Sequence, residues 1–378
     1  MTFTLKYQPL NQVAEEIRLI KILPSYPTTL NNSGSIQQQN LDLVSCQLSH
    51  FPLKGYQTQI SSSQIDWDIA DNASISSEKP LWRYTWGDYA ALSYTWGNPV
   101  QTSDILINGH KVTVRSNLEA GLRALREKKA IQAGLLIWID ALCINQEDTP
   151  ERNQEVKRMR TIYKTAREVV IWLGEEGDES SRAMKLVKTL SKASNEGICP
   201  TLQDLIGKSP EVFRKGAWQA LGQLMIRPYW DRVWIMQELA MGNPQTPILC
   251  GKDMIKWGDI YHGIYTFGTR NIEIFSYIEK ECKEARVSYS GLNRNKIIHL
   301  WYEQEIQAGR MKPQLMAMLD LSRKSMATDS KDKIYGLMGL MNLEVAEKIE
   351  PDYKKGLVEV YRSFAKVVIT TSTQPLSA

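Results

Sequence analysis

The sequence predicts an α/β protein built on a doubly wound, largely parallel sheet with flanking helices. Three observations carry this. AALSYTW (90–96), GLLIWIDAL (134–142) and EVVIWLG (168–174) are nearly unbroken apolar runs of strand length, the pattern of strands covered on both faces. Segments of helical periodicity separate them, and an alternation of strand and helix places consecutive strands in one sheet. The chain before these runs reads as β elements, and the chain after them reads as mainly helical.

The elements follow in order. IRLIKIL (17–23) and LDLVSCQLSHF (41–51) read as two strands of a small N-terminal sheet, with a polar stretch at 31–40 between them. SSSQIDWDIADNASISSEK (61–79) reads as a long surface loop of low order. ILINGHKVTV (105–114) reads as a hairpin, because Asn108-Gly109 suits a type I′ turn between two apolar runs. SNLEAGLRALRE is a helix that Ser116 can cap, with Leu118, Leu122 and Leu125 on its apolar face. Thr149-Pro150-Glu151 opens another, which Val156, Met159, Tyr163 and Ala166 continue at helical spacing. GEEGDESS (174–181) is acidic and flexible. Ser209-Pro210 opens a helix that ends near Arg227-Pro228, and Asp231 caps a short helix that Gly242 stops. LVEVYRSFAKVVITT (357–371) is a last apolar helix, after which the chain ends without a closing element, as a fragment or a short allele of a longer protein would. These readings divide the chain into β elements and loops at 1–88, an α/β core at 89–240 and a mainly helical extension at 241–378.

Composition narrows the function classes. The 46 basic and 42 acidic residues nearly balance, to a net charge of +4 without a block of like charge, which argues against a nucleic-acid surface. The five cysteines are odd in number and never spaced as CxxC, so they frame neither disulfides nor a zinc site and suit a reducing, cytoplasmic setting. No segment is apolar enough to span a membrane, and the last helix carries too little basic charge to disrupt one. The usual catalytic motifs are absent, and the four histidines are scattered. Cys143 follows directly on a buried strand and reads as a packed core thiol.

Two places set polar groups against apolar structure. Ser93, Trp96, Gly97 and Asn98 follow one strand, and Asp140, Asn145 and Gln146 follow another, at the carboxyl ends where open α/β sheets bind ligands. Turn-making alone explains Asn98 and Asn145 equally well. Trp234 and Glu238 stand four apart, on one helix face, where the ring can stack on a planar base and the carboxylate can orient a ligand hydroxyl. A solvated helical glutamate is the plainer account of Glu238. Asp332 reads as a helix cap or an ion-pair partner of neighbouring basic residues.

YAALSYTWGNP (89–99), LLIWIDALCINQEDTPERNQEVKRMRTIYKTAREVVIWLG (135–174) and YWDRVWIMQELA (229–240), in that order, closely resemble the HET (heterokaryon incompatibility) domain of filamentous fungi. DSKDKIYGLMGL (329–340) and PDYKKGLVEVY (351–361) resemble segments that follow it. The resemblance implies regulated cell death after hyphal fusion with an incompatible partner, so an allelic or non-allelic partner protein. HET domains are in turn similar to TIR domains, which share a flavodoxin-like parallel sheet, in several cases cleave NAD, and place an essential glutamate four residues after a tryptophan. That similarity implies Glu238 as the catalytic group and Trp96, Gly97, Asn98 and Trp234 as nucleotide contacts, which Ser93, Asp140 and Asn145 join from the strand-end reading. It implies NAD as substrate, no required cofactor and a homo-oligomeric active form. A signalling module that recruits a downstream effector without catalysis is the alternative.

Overall fold

A computed structural model describes residues 5–25, 43–53, 67, 89–195, 202–213, 216–266, 280, 283, 305 and 315–372. The chain divides into two compact units, one of Met1–Gln146 with Thr165–Glu168 and one of Glu147–Lys164 with Val169–Ala378. The polar stretch at 31–40, nearly all of the loop at 61–79 and the YTWG at 84–87 lie outside the described residues; that tetrapeptide recurs in sequence at 94–97, and the second copy lies within them.

Six strands make the sheet of the first unit: β1 (Glu16–Ile22), β2 (Ser45–Pro52), β3 (Tyr89–Tyr94), β4 (Thr102–Ile107), β5 (His110–Arg115) and β6 (Leu136–Trp138). Their spatial order is β5-β4-β2-β1-β6-β3. β3 and β6 pair in parallel as expected, Ala90 opposite Ile137 and Ala91 opposite Trp138. The expected separate N-terminal sheet is not what forms. β1 pairs antiparallel with β2 on one edge and meets β6 at Ile20 opposite Ile137 on the other, so the N-terminal strands extend the same, mixed sheet. The reason is burial: Ile17, Leu19, Ile20 and Ile22 are all buried, as is Arg18, and a strand so covered has no free edge to offer solvent. β2 also pairs in parallel with β4 of the hairpin. That hairpin turns at Asn108 and Gly109, with φ of 52° and 80°, the pair of positive values a type I′ turn requires.

Helix α1 (Ser116–Arg126) buries Leu118, Leu122 and Leu125. Ser116 does not cap it. Arg115 occupies the cap position without a side-chain bond, and the Ser116 hydroxyl meets that of Ser103 at 2.9 Å. After α2 (Lys129–Gln132), β6 is cut to three residues because the chain turns at once into α3 (Asp140–Cys143). The buried Arg18 guanidinium fastens that turn by donating to the Cys143 carbonyl at 2.9 Å and the Gln8 carbonyl at 2.6 Å, with the Tyr7 ring 4.7 Å away. The Cys143 thiol is buried there and accepts from the Ile139 amide at 3.3 Å, as a packed core thiol.

The second unit holds α4 (Thr149–Thr165), the fully buried β7 (Glu168–Trp172, whose first residue belongs to the other unit), α5 (Ser180–Asn195), α6 (Leu202–Lys208), α7 (Ala217–Met225) and α8 (Ile235–Ala240). A parallel pairing joins β7 to β8 (Pro247–Cys250), which turns back as β9 (Asp253–Lys256) into α9 (Trp257–Ile260). Farther on come α10 (Leu315–Lys324), α11 (Asp332–Tyr335), α12 (Leu343–Ala346) and α13 (Leu357–Ser372), which gives the C-terminal part the helical character read from sequence. α4 starts at Thr149 as expected and buries Val156, Met159 and Tyr163, but ends one residue before Ala166. Two helix starts differ. Ser209-Pro210 makes a turn, with the Val212 amide on the Ser209 carbonyl at 3.0 Å, and α7 begins only after Gly216, whose φ is +91°. Asp231 sits in a 3-10 turn (Pro228–Asp231), and the cap of α8 is Trp234, without a side-chain bond. Trp138 and Trp172 are core residues. Among the described residues no helix is long and apolar enough to cross a membrane.

Candidate functional site

In the first unit, the parallel pairing of β3 with β6 brings the loop after Tyr94 beside the turn into α3. The Trp96 indole N–H donates to Asp140 Oδ2 at 2.8 Å, while Asp140 Oδ1 accepts from the Ala141 amide at 2.7 Å. Gln146 closes the turn by donating to the Asp140 carbonyl at 2.9 Å. The Arg115 guanidinium lies 5.1 Å from the Trp96 ring centre and donates to the Gly97 carbonyl at 2.8 Å. Gly97 has a φ of +83° and comes so near α1 that an added Cβ would lie 3.2 Å from the Asn117 Cβ; glycine alone suits the position. Asn98 makes a turn, its Oδ1 accepting from the Val100 amide at 3.1 Å. Ser93 is fully buried within β3, and Asn145 is half-buried. Trp96 and Asp140 are thus brought into direct contact. Arg115 is a member of the group that the sequence did not single out, since a guanidinium stacked on an aromatic ring leaves no local spacing signal across the hairpin.

In the second unit, Trp234 and Glu238 lie one turn apart, the Glu238 amide on the Trp234 carbonyl at 3.1 Å. Glu238 is 1% exposed, so it is not a solvated helical glutamate. Arg232 reaches both of its oxygens, Nη1 to Oε2 and Nη2 to Oε1, each at 3.1 Å. This two-pronged arrangement fixes the carboxylate in the plane of the guanidinium. Six residues separate the partners, because the chain runs extended at Arg232 before α8 begins, and no helical spacing announces the pair.

Asp332, read from sequence as a helix cap or an ion-pair partner, takes a different role. It is 9% exposed, and it accepts from the Tyr353 hydroxyl at 2.5 Å and from the Trp234 indole. It neither caps a helix nor pairs with the lysines beside it; Lys331 pairs with Asp329 at 3.1 Å. Burial pushes the Asp332 carboxyl above the usual aspartate range, against the bonds from Tyr353 and Trp234, with Asp329 adding to the rise and Arg152 opposing it. The Tyr353 phenol is pushed far up by its own burial and by the neighbouring carboxylate. Arg152 lies over the Tyr353 ring at 4.0 Å.

The α/β architecture and these motif-bearing turns define the class, and comparison with known proteins supplies the family. The family described as Heterokaryon incompatibility protein (HET) matches residues 89–238. Heterokaryon incompatibility protein 6, OR allele, of Neurospora crassa is 26% identical over 324 residues, which cover 74% of this chain and 47% of that protein. The chain therefore spans less than half the length of that relative. No solved structure gives a match. Residues 89–238 thus carry the match to the HET family, and Glu238 is its last residue.

Two outcomes follow from this chemistry. Arg232→Ala takes the guanidinium from a buried carboxylate and should cost about 3–5 kcal/mol in denaturant unfolding, whereas a joint replacement of Arg232 and Glu238 by apolar residues of similar volume should cost far less. Equal costs would show that the ion pair is not what holds this turn. The second outcome concerns pH. A carboxyl raised in the folded state favours folding while protonated, and that contribution is lost as pH rises through its folded value. The stability of the wild type relative to Asp332→Asn should therefore fall as pH climbs above the ordinary aspartate value of about 3.9. A difference that grows with pH would reverse the assignment.

Proposed function

We propose that this chain acts in heterokaryon incompatibility and triggers regulated death of fused cells, with the Trp234–Glu238 turn as its effector centre, silent in the resting chain. The observation that carries the reading is the sequestered state of Glu238: a carboxylate at the TIR-like position, almost fully buried, with both oxygens engaged by Arg232. The name of the Neurospora crassa relative supports the incompatibility role.

The chemistry this centre would perform is TIR-like cleavage of NAD. The bond between the ribose anomeric carbon and nicotinamide breaks, nicotinamide leaves as a neutral base, and water bonds to that carbon and loses a proton to solvent. Because the leaving group is already a cationic pyridinium, no general acid is needed. Glu238, exchanged from Arg232, would hold the ribose hydroxyls and stabilise the oxocarbenium-like charge. Trp234 would stack on a planar base, and clustering of copies would drive the exchange. A second reading draws on the same closed ion pair: a carboxylate this well satisfied is a good structural element, and the module would then signal by recruiting a downstream effector.

The two readings separate in one experiment. Purified chain, with and without forced dimerisation, is followed for NAD loss and nicotinamide release beside a Glu238→Gln variant of matched folding. The effector reading predicts turnover on clustering and a drop of about 10² to 10³ in the variant. Killing in cells without NAD loss in any assembly state would leave recruitment as the function.

A further inference from the structure

The family match ends at Glu238, yet the turn that carries Trp234 and Glu238 is closed by chain far beyond it. Residues 326–353 contact that turn at four points, all within the second unit. The Met326 amide donates to the Asp231 carbonyl at 2.5 Å, and the Met326 carbonyl accepts from the Val233 amide at 2.9 Å, a parallel bridge beside Arg232. Asp332 accepts from the Trp234 indole. Gln237 Oε1 accepts from the Gly339 amide at 2.9 Å, and a Cβ on Gly339 would lie 2.5 Å from the Gln237 side chain.

α8 has only six residues and no side-chain cap, too short to hold its own rotation about its axis. Trp234 stands at its cap, so whatever fixes the Trp234 indole fixes the direction of Glu238 one turn later. The Asp332 carboxylate is placed to do this. Its second donor, Tyr353, is itself anchored on α4, where Asn153 Oδ1 accepts from the Tyr353 amide at 3.2 Å and Arg152 covers the ring at 4.0 Å. A floppy carboxylate would hold nothing; this one is tied through Tyr353 to a seventeen-residue helix.

We propose that Asp332 is the positioning residue of the Trp234–Glu238 centre, holding the Trp234 indole and the Tyr353 phenol on one buried carboxylate. The inference rests on the reading that this centre carries the function, and the experiment keeps the two apart. The whole chain is labelled with 5-fluorotryptophan, the Trp234 resonance is assigned by its loss in Trp234→Phe, and killing in cells is measured in parallel. Asp332→Asn keeps the shape but leaves one oxygen for two donors. The expected result is a moved Trp234 resonance and killing reduced at least about tenfold, the scale of one hydrogen bond to a charged group. Tyr353→Phe, which removes a single hydroxyl, is the companion should Asp332→Asn fail to fold; it should move the same resonance with a smaller loss of killing. An unmoved Trp234 resonance in the folded variants overturns the positioning role, whatever happens to killing. A moved resonance with full killing overturns it also. If Trp234→Phe and Glu238→Gln both kill like the wild type, it is the centre itself that falls.

Discussion

Glu238 must be neutralised where it lies, and that requirement organises the second unit. A charged carboxylate at 1% exposure is tolerated only with a partner of opposite charge and full hydrogen bonding, and a six-residue helix cannot supply one. The chain therefore runs extended through Arg232, so that its guanidinium can turn back along α8. Holding that extended stretch calls for a backbone partner, and Met326 provides it. Gln237, also 1% exposed, spends its carbonyl oxygen on Gly339. Through Arg232 and Gln237 the turn thus recruits two segments that lie elsewhere in the sequence.

The first unit solves a different problem. Its strands end in a loop that must pass close to α1, and Gly97 permits the approach through a positive φ. The half-buried polar ends are then cross-linked: Trp96 to Asp140, Arg115 to the Gly97 carbonyl, and Asn117 to the Thr95 carbonyl at 2.5 Å. Arg18, buried in β1, fixes the α3 turn from beneath. The result is a rigid strand-end cluster in which one indole is held at its N–H and covered on one face by a cation.

What could be read from sequence was what depends on near neighbours. The Asn108-Gly109 turn, the leucine stripe of α1, the Thr149-Pro150 start and the buried tryptophans of β6 and β7 are all set by local spacing, and all are present. Helix caps misled because Ser116 and Asp231 have the right side chains but found other work: Ser116 meets Ser103, and Asp231 is drawn into a 3-10 turn that pairs with Met326. The mixed sheet could not be read because strand pairing is decided by burial across the whole unit. The partners of the candidate centre were hidden for the same reason, with Gln237 and Gly339 102 residues apart and Asn153 and Tyr353 200 apart. Only the motif spacing of Trp234 and Glu238 pointed there, and it gave the residues without their environment.

The central claim is that residues 231–241 and 326–353 form one cooperative element around a buried carboxylate. Native-state hydrogen exchange on the whole chain tests it most directly, by comparing the amides of Val233, Glu238, Met326 and Gly339. The account predicts a shared opening free energy for all four, lowered together by Gly339→Ala, whose added methyl meets Gln237. Free exchange across 326–353 while 231–241 stays protected would contradict it.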